Sequence, residues 1–169
     1  MKTRVCILLL ALSMPASVIP AIAADEDGFA PGGTAINQYS KQFHNLKIVM
    51  DLKTERPSSI KFGAVVASRI MDQPNAQLVV IIEGPGVSVF AKKNYLDHQG
   101  DVDSWVALAN RGVKVEYCGN SVHGAGLEPE DMIGLSHKNP AVVNPGAYPT
   151  LGHYESLGFN PIVITPMEN

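Results

Sequence analysis

From residue 47 onward, short apolar runs alternate along the chain with segments whose apolar residues recur at helical spacing. The run at 77–84 is continuously apolar until a Gly-Pro-Gly turn at 84–86 stops it, which is typical of a strand buried on both faces of a parallel sheet. The segment 101–112 places Trp105 and Leu108 on one helical face and ends at a glycine, as an amphipathic helix does. The predicted strands are 47–52, 77–84, 113–118, 140–144 and 160–165, and the predicted helices are 54–72, 87–94, 101–112, 128–131 and 148–157.

This alternation of strands and helices predicts an α/β fold. We expect three layers, with a roughly five-stranded, mainly parallel sheet and helices on both of its faces. Ligands of such sheets bind beyond the carboxyl ends of the strands. The turn at 84–86 follows one predicted strand and Cys118 ends another, so both features are predicted to lie at the ligand-binding edge of the sheet.

Residues 1–23 are predicted to be a secretory signal peptide and not part of the fold. Lys2 and Arg4 precede an apolar run at 5–12, and the segment ends in Ala-Ile-Ala, which indicates cleavage before Ala24. The apolar run is shorter than a membrane-spanning helix requires, which argues against an uncleaved anchor. The mature protein is therefore expected in the periplasm or outside the cell, with no membrane association after cleavage.

The predicted mature chain consists of an N-terminal extension at 24–45, rich in glycine, alanine and polar residues, and an α/β domain at 46–169. The full chain of 169 residues has 13 Lys and Arg against 16 Asp and Glu, a net charge of −3, and loss of the two basic residues of the signal peptide makes it −5. An acidic chain without a basic cluster argues against nucleic acid as a partner. Cleavage also removes Cys6, so Cys118 is the single thiol of the mature chain and an internal disulfide is excluded.

Cys118 opens a glycine-rich stretch, CGNSVHGAG, directly behind the third predicted strand. Sulfur chemistry needs a thiolate, and an isolated cysteine has a pKa of about 8.5. Backbone N–H groups of this stretch would stabilise the anion, and His123 would supply a positive charge or a proton acceptor if it folded back. The alternative is a buried structural cysteine, since free cysteines are among the most buried residues. The strand-end position favours a reactive thiol at the mouth of a site.

The predicted site consists of the strand-end residues around this thiol, with Cys118 as the catalytic residue. Glycines there let a ligand approach the backbone closely, and the polar side chains behind Cys118 shape its surroundings. The predicted ligand-binding residues are Gly84, Gly86, Gly119, Asn120, Ser121 and His123.

Four segments of the chain resemble one known family. They are the strand QLVVIIEGPGV, the helix and strand LANRGVKVEYCGNSV, the Pro-Glu-Asp turn at 129–131 and the closing LGHYESLGFNPIVIT. Together they are similar to the DsrE/DsrF-like proteins, small α/β domains of flavodoxin-like arrangement that are linked to sulfur metabolism. The resemblance covers about residues 47–165. It implies that Cys118 accepts a sulfane sulfur as a persulfide and passes it from a sulfur donor to an acceptor, and that the protein is a homo-oligomer.

Two other functions stay open at this point. One is a non-catalytic, homo-oligomeric module whose strand-end pocket holds a small ligand, with Cys118 only a wall residue. The other is a periplasmic protein that binds copper or zinc through Cys118, His123 and Met132, since thiolate and imidazole suit those metals. No cofactor is predicted, because the chain lacks the G-x-G-x-x-G and G-x-x-x-x-G-K-[ST] spacings of phosphate-binding loops. It also lacks the G-x-S-x-G elbow of hydrolases.

Overall fold

The computed structural model describes residues 43–54, 57–136 and 140–165. The predicted signal peptide at 1–23, its cleavage site and most of the predicted extension at 24–45 lie outside the described residues. Within the described part of the chain, no helix is both long enough and apolar enough to cross a bilayer.

One five-stranded sheet forms the centre of the described domain. Its strands are β1 (Lys47–Lys53), β2 (Gln77–Glu83), β3 (Lys114–Cys118), β4 (Val143–Asn144) and β5 (Asn160–Ile164). They lie in the order β4-β3-β2-β1-β5, and every neighbouring pair is parallel. The predicted α/β fold is therefore confirmed, and the sheet expected to be mainly parallel is parallel throughout. Only two residues of the predicted strand at 140–144 pair with β3.

Four α-helices and three 3-10 turns connect the strands within the described residues. The helices are α1 (Pro57–Met71), α2 (Gln99–Asn110), α3 (Gly119–Gly124) and α4 (Ala147–Ser156), and the turns are Pro85–Phe90, Lys92–Asp97 and Pro129–Asp131. Helices α1, α2 and α4 agree with the predicted helices to within a few residues. The short helix predicted at 87–94 is instead made of two successive 3-10 turns. Helix α3 was not predicted, because the glycine-rich stretch behind Cys118 is not among the predicted helices.

Helix α3 forms because Val122 on the helix and Leu127 just behind it have a core to enter. Val122 and Leu127 are both buried in the larger core of the domain. The Leu127 N–H donates to the Val122 carbonyl and closes the end of the helix. At its start, Gly119 permits a close contact with β4, since a Cβ at this position would lie 2.5 Å from the Asn144 carbonyl oxygen. A helix this short has too few apolar residues for its periodicity to be read from the sequence.

Each face of the sheet carries its own core. The main core contains Phe90, Trp105 and Tyr117, and the Phe90 ring packs against both of the others. The small core lies on the other face, where α4 packs on residues such as Val49 and Ile81. Helices therefore cover both faces, as the three-layer prediction required.

Candidate functional site

A cavity of about 520 Å³ opens at the carboxyl ends of β2 and β3. We call it the strand-end cavity. It lies between helix α3 and the 3-10 turn that follows β2. Gly84 has a φ of 88°, which glycine adopts without steric cost, and the chain therefore turns sharply as it leaves β2. The lining residues are Gly84, Pro85, Ser88, Ser121, Gly124 and Ala125.

Two serines supply the polar side chains of the strand-end cavity. The Gly84 N–H donates to Ser121 Oγ over 2.8 Å, which ties the end of β2 to α3. The Ser88 hydroxyl donates to the Pro85 carbonyl over 2.9 Å. No acceptor for the Ser121 proton is found among the described residues, so this hydroxyl is able to donate to a ligand. Because no lining residue is charged, the cavity suits an uncharged ligand group.

Of the predicted ligand-binding residues, Gly84 and Ser121 line the strand-end cavity, whereas Gly86 and Gly119 do not. A Cβ at Gly86 would lie 2.5 Å from Thr54 Cβ, and one at Gly119 would meet the β4 backbone at the same distance. Both glycines therefore have a packing role, because a larger residue at either position would force neighbouring parts of the chain apart.

The thiol of Cys118 faces away from the strand-end cavity. Residues of a strand point alternately to the two faces of a sheet, so Tyr117 enters the main core and Cys118 enters the small core beside Val79 and Ile81. Cys118 is 3 % exposed and does not line the cavity. The thiol expected at the mouth of a site is therefore buried in the single chain, and its reactivity stays a prediction.

The remaining predicted residues are also dispersed. Asn120 and His123 are exposed on α3 and do not line the strand-end cavity. Met132 is buried in the main core, on the opposite face of the sheet from Cys118. The copper or zinc ligands considered above are thus not brought together. Within the described ranges, no group of three or more His, Cys, Asp or Glu side chains is placed to hold a metal ion.

A polar cluster that sequence analysis missed lies at the carboxyl ends of β1 and β2, on the small-core face. We call it the Asp51 cluster, and its members are Asp51, Lys53, Glu83 and Tyr148. Lys53 Nζ lies 3.2 Å from Glu83 Oε1 and 3.9 Å from Asp51 Oδ2. It donates to Tyr148 Oη over 3.3 Å and lies 5.4 Å from the centre of that ring. Asp51 is 1 % exposed, and its Oδ1 has no hydrogen-bond partner among the described residues.

The surroundings of the Asp51 cluster shift two pKa values. Burial raises the pKa of Asp51, the charge of Glu83 adds to the rise, Lys53 opposes it, and the resulting pKa is about 6. The pKa of Lys53 is raised by its hydrogen bonds to Tyr148 and Glu83, so its ammonium group keeps its proton. The only sequence signal for this cluster is an aspartate within the otherwise apolar run IVMDL of a strand between two others.

A second buried carboxylate, Glu116, fastens α4 to β3. Its Oε1 accepts from the Tyr154 hydroxyl over 2.6 Å and lies 2.9 Å from Lys114 Nζ, and its Oε2 accepts from Asn144 Nδ2 over 3.2 Å. Burial raises the pKa of Glu116, but these hydrogen bonds outweigh burial and the net shift of the pKa is downward. Because both of its oxygens are satisfied, this group has a structural role.

Comparison with known proteins identifies the fold but no function. The sequence matches no known protein family and no curated protein. Among solved structures, the chain is similar to MTH1491, a protein of unknown function from Methanobacterium thermoautotrophicum, with a TM-score of 0.56 and 18% identity over 70% of this chain and 98% of that one. It is also similar to BT1422, a conserved protein of unknown function from Bacteroides thetaiotaomicron, with a TM-score of 0.52 and 16% identity over 71% of this chain and 96% of that one.

These likenesses define a class of protein only. The chain is an all-parallel α/β domain of the same type as its two structural neighbours. At identities this low the shared fold does not carry a shared activity. The resemblance to the DsrE/DsrF-like proteins stays a prediction.

Proposed function

We propose that the protein is a small-ligand-binding module whose site is the strand-end cavity, with Cys118 as a structural residue on the other face of the sheet. The observation that carries this proposal is the cavity itself, at the edge where parallel α/β sheets bind ligands. Its free hydroxyl donor at Ser121 and its uncharged walls favour a small, uncharged ligand that carries a hydrogen-bond acceptor. Self-association and export of this module are further parts of the proposal, supported by the family resemblance and by the leader-like first residues.

Blocking the cavity with a larger side chain tests this proposal. Gly124 lines the cavity, and a Cβ there would meet no atom within 4 Å, so Gly124→Leu is expected to narrow the cavity with no clash at its Cβ. We would titrate a library of small uncharged molecules into the labelled full-length protein and follow its amide NMR signals. Compounds that shift the amides of Gly84, Ser88 and Ser121 are expected to bind the variant at least about tenfold more weakly, which corresponds to about 1.4 kcal/mol.

A matched control comes from Gly152 on α4, where a Cβ also meets no atom within 4 Å. Gly152→Leu adds the same side chain to a distant exposed position, and it is expected to leave binding unchanged. Binding that persists in Gly124→Leu, or that is lost equally in both variants, would refute the assignment of the site to this cavity.

Carriage of sulfane sulfur by Cys118 is the second candidate function. Besides the resemblance, the sheet register favours it: the last registered pair is Ile82 with Tyr117, and continuing that register by one residue would place Glu83 beside Cys118. Glu83 would then be placed to accept the thiol proton. The thiolate would attack a terminal sulfur of a polysulfide, the adjacent S–S bond would break, and the shortened polysulfide would leave with the electron pair, so that Cys118 holds one additional sulfur.

Mass spectrometry separates the two candidates. If Cys118 carries sulfur, the folded protein gains about 32 Da at Cys118 after treatment with polysulfide, and Glu83→Gln slows this gain. Cys118→Ser lacks the thiol and is the negative control. An adduct that forms only after unfolding in urea would exclude sulfur carriage and leave Cys118 as a structural residue.

A further inference from the structure

The Asp51 cluster surrounds an ammonium group. Around Lys53 Nζ stand the Glu83 carboxylate at 3.2 Å, the Asp51 carboxylate at 3.9 Å and the Tyr148 ring at 5.4 Å. Carboxylates and the face of an aromatic ring are the groups with which proteins bind organic cations. The cluster therefore contains the groups that a bound ammonium ion requires.

Lys53 alone does not satisfy the cluster. When both carboxyl groups are ionised, two negative charges face one positive charge. Asp51 is almost completely buried, and its Oδ1 accepts no hydrogen bond from any described residue. A buried carboxylate oxygen without a donor is costly, because water no longer solvates it. One more cationic N–H donor would remove both deficits.

Two other members of the cluster are accessible to solvent. Tyr148, on the first turn of α4, is 70 % exposed, and Lys53 is only half-buried. Towards the edge of the sheet, the register neighbour of Asp51 is Val163 on β5, which is 54 % exposed. An exposed apolar side chain therefore lies next to Asp51 on the small-core face of the sheet.

We propose that the Asp51 cluster is a second binding site, which takes a small organic amine in its ammonium form. The ammonium group donates to Asp51 Oδ1 and to Glu83, its alkyl part packs against Tyr148 and Val163, and the Lys53 side chain is displaced towards solvent. Lys53 is thus the internal competitor of the ligand. This site does not depend on the proposed function, because the strand-end cavity shares no residue with the cluster.

The protonation state of Asp51 determines the pH range in which the cluster binds an amine. Within the described chain, the titratable groups that act on Asp51 are Glu83 on β2 and Lys53 on its own strand. Tyr148 on α4 contacts Lys53, and β5 presents Val163, which does not titrate. The pKa of Asp51 is about 6, and the protonated carboxyl group cannot pair with a cation. Amine binding is therefore expected to be about tenfold weaker at about pH 5 than at about pH 7.5.

The test uses the full-length protein and n-butylammonium as the probe, followed by amide NMR. The probe is expected to shift the amides of Asp51, Glu83 and Tyr148, with the stated pH dependence. The analogue n-butyltrimethylammonium has the same charge and no N–H donor, and it is expected to bind at least about tenfold more weakly. Asp51→Asn keeps the shape of the side chain and removes its charge, and it is expected to lose the site.

Lys53→Met is expected to strengthen binding, in contrast to Asp51→Asn, because it removes the competing ammonium and keeps a side chain of similar length. The apparent affinity for n-butylammonium is expected to rise about tenfold or more. The absence of any shift at these amides up to about 50 mM probe in the wild-type chain would overturn the proposal. Equal binding of the quaternary analogue, or unchanged binding by Asp51→Asn, would overturn it as well. The proposal would also be overturned if these amides shifted with protein concentration in the absence of probe, because a second copy of the chain would then occupy the cluster.

Discussion

The side chain of Asp51 shows how one residue makes the stability of this domain depend on pH. Its pKa rises from an ordinary 3.8 to about 6 because the charged form is buried in the sheet and lies beside Glu83. A folded state that holds a proton more tightly than the unfolded state gains stability from it at low pH. That contribution is complete below about 3.8 and is lost as the pH rises through about 6.

Asp51→Asn is expected to remove this dependence, since asparagine has the same shape and no charge. Between about pH 4 and about pH 8 the wild-type free energy of unfolding should fall by about 2 kcal/mol relative to that of the variant. Urea unfolding of both proteins at the two pH values measures this difference. Parallel stability curves would show that Asp51 is solvated in solution and that its pKa is not raised.

At the scale of elements, helix α3 contains two glycines with opposite surroundings. Gly119 faces the Asn144 carbonyl oxygen, which would lie 2.5 Å from a Cβ, whereas a Cβ at Gly124 would project into open space. The first glycine is needed for the helix to approach β4. The second leaves the strand-end cavity open.

Substitution of each glycine by alanine is expected to separate these roles. Gly119→Ala should destabilise the domain by about 2–3 kcal/mol, because backbone cannot yield as a flexible side chain does. Gly124→Ala, its matched control in the same helix, should be neutral or stabilising by up to about 1 kcal/mol. Thermal and urea unfolding of the two variants measure both effects, and equal effects would contradict the packing role of Gly119.

The hydrogen bond between Tyr154 and Glu116 holds helix α4 against the small core. Tyr154→Phe removes the donor to a buried carboxylate and is expected to cost about 2 kcal/mol of unfolding free energy. Tyr148→Phe, in the exposed first turn of the same helix, should change stability by less than about 0.5 kcal/mol. If urea unfolding showed equal losses of unfolding free energy in the two variants, the hydrogen bond to Glu116 would stabilise the domain no more than an exposed hydroxyl group does.

For the molecule as a whole, residues 1–23 are predicted to be removed as a leader. Expression of the full chain in a host with a secretory pathway is expected to yield a protein that begins at Ala24, measured by intact mass and N-terminal sequencing. Ala23→Arg should block this processing, because the cleavage site requires small residues. A wild-type product that retains residues 1–23 would contradict the prediction of export.

The predicted fold was right where the pattern is strong and wrong where an element is short. The continuously apolar β2 and the amphipathic α2 could be read from local spacing, since burial on one or both faces sets that spacing. The six-residue α3 could not, because its helical form depends on contacts of Val122 with the main core. The candidate site was likewise predicted only in part. The strand-end location was predicted, but of the predicted residues only Gly84 and Ser121 line the cavity.

Local sequence patterns were enough to predict an α/β chain with a mainly parallel sheet, and to place residues 84–86 and Cys118 at the carboxyl edge of that sheet. The burial of Cys118 among apolar side chains, and the meeting of Asp51, Glu83 and Tyr148 around one ammonium group, are visible only in the folded chain. The reason is that local patterns report the burial of each residue along its own element. The Asp51 cluster joins three elements, and the hydrogen bond between Lys53 and Tyr148 alone spans 95 residues, a separation over which no local pattern carries information.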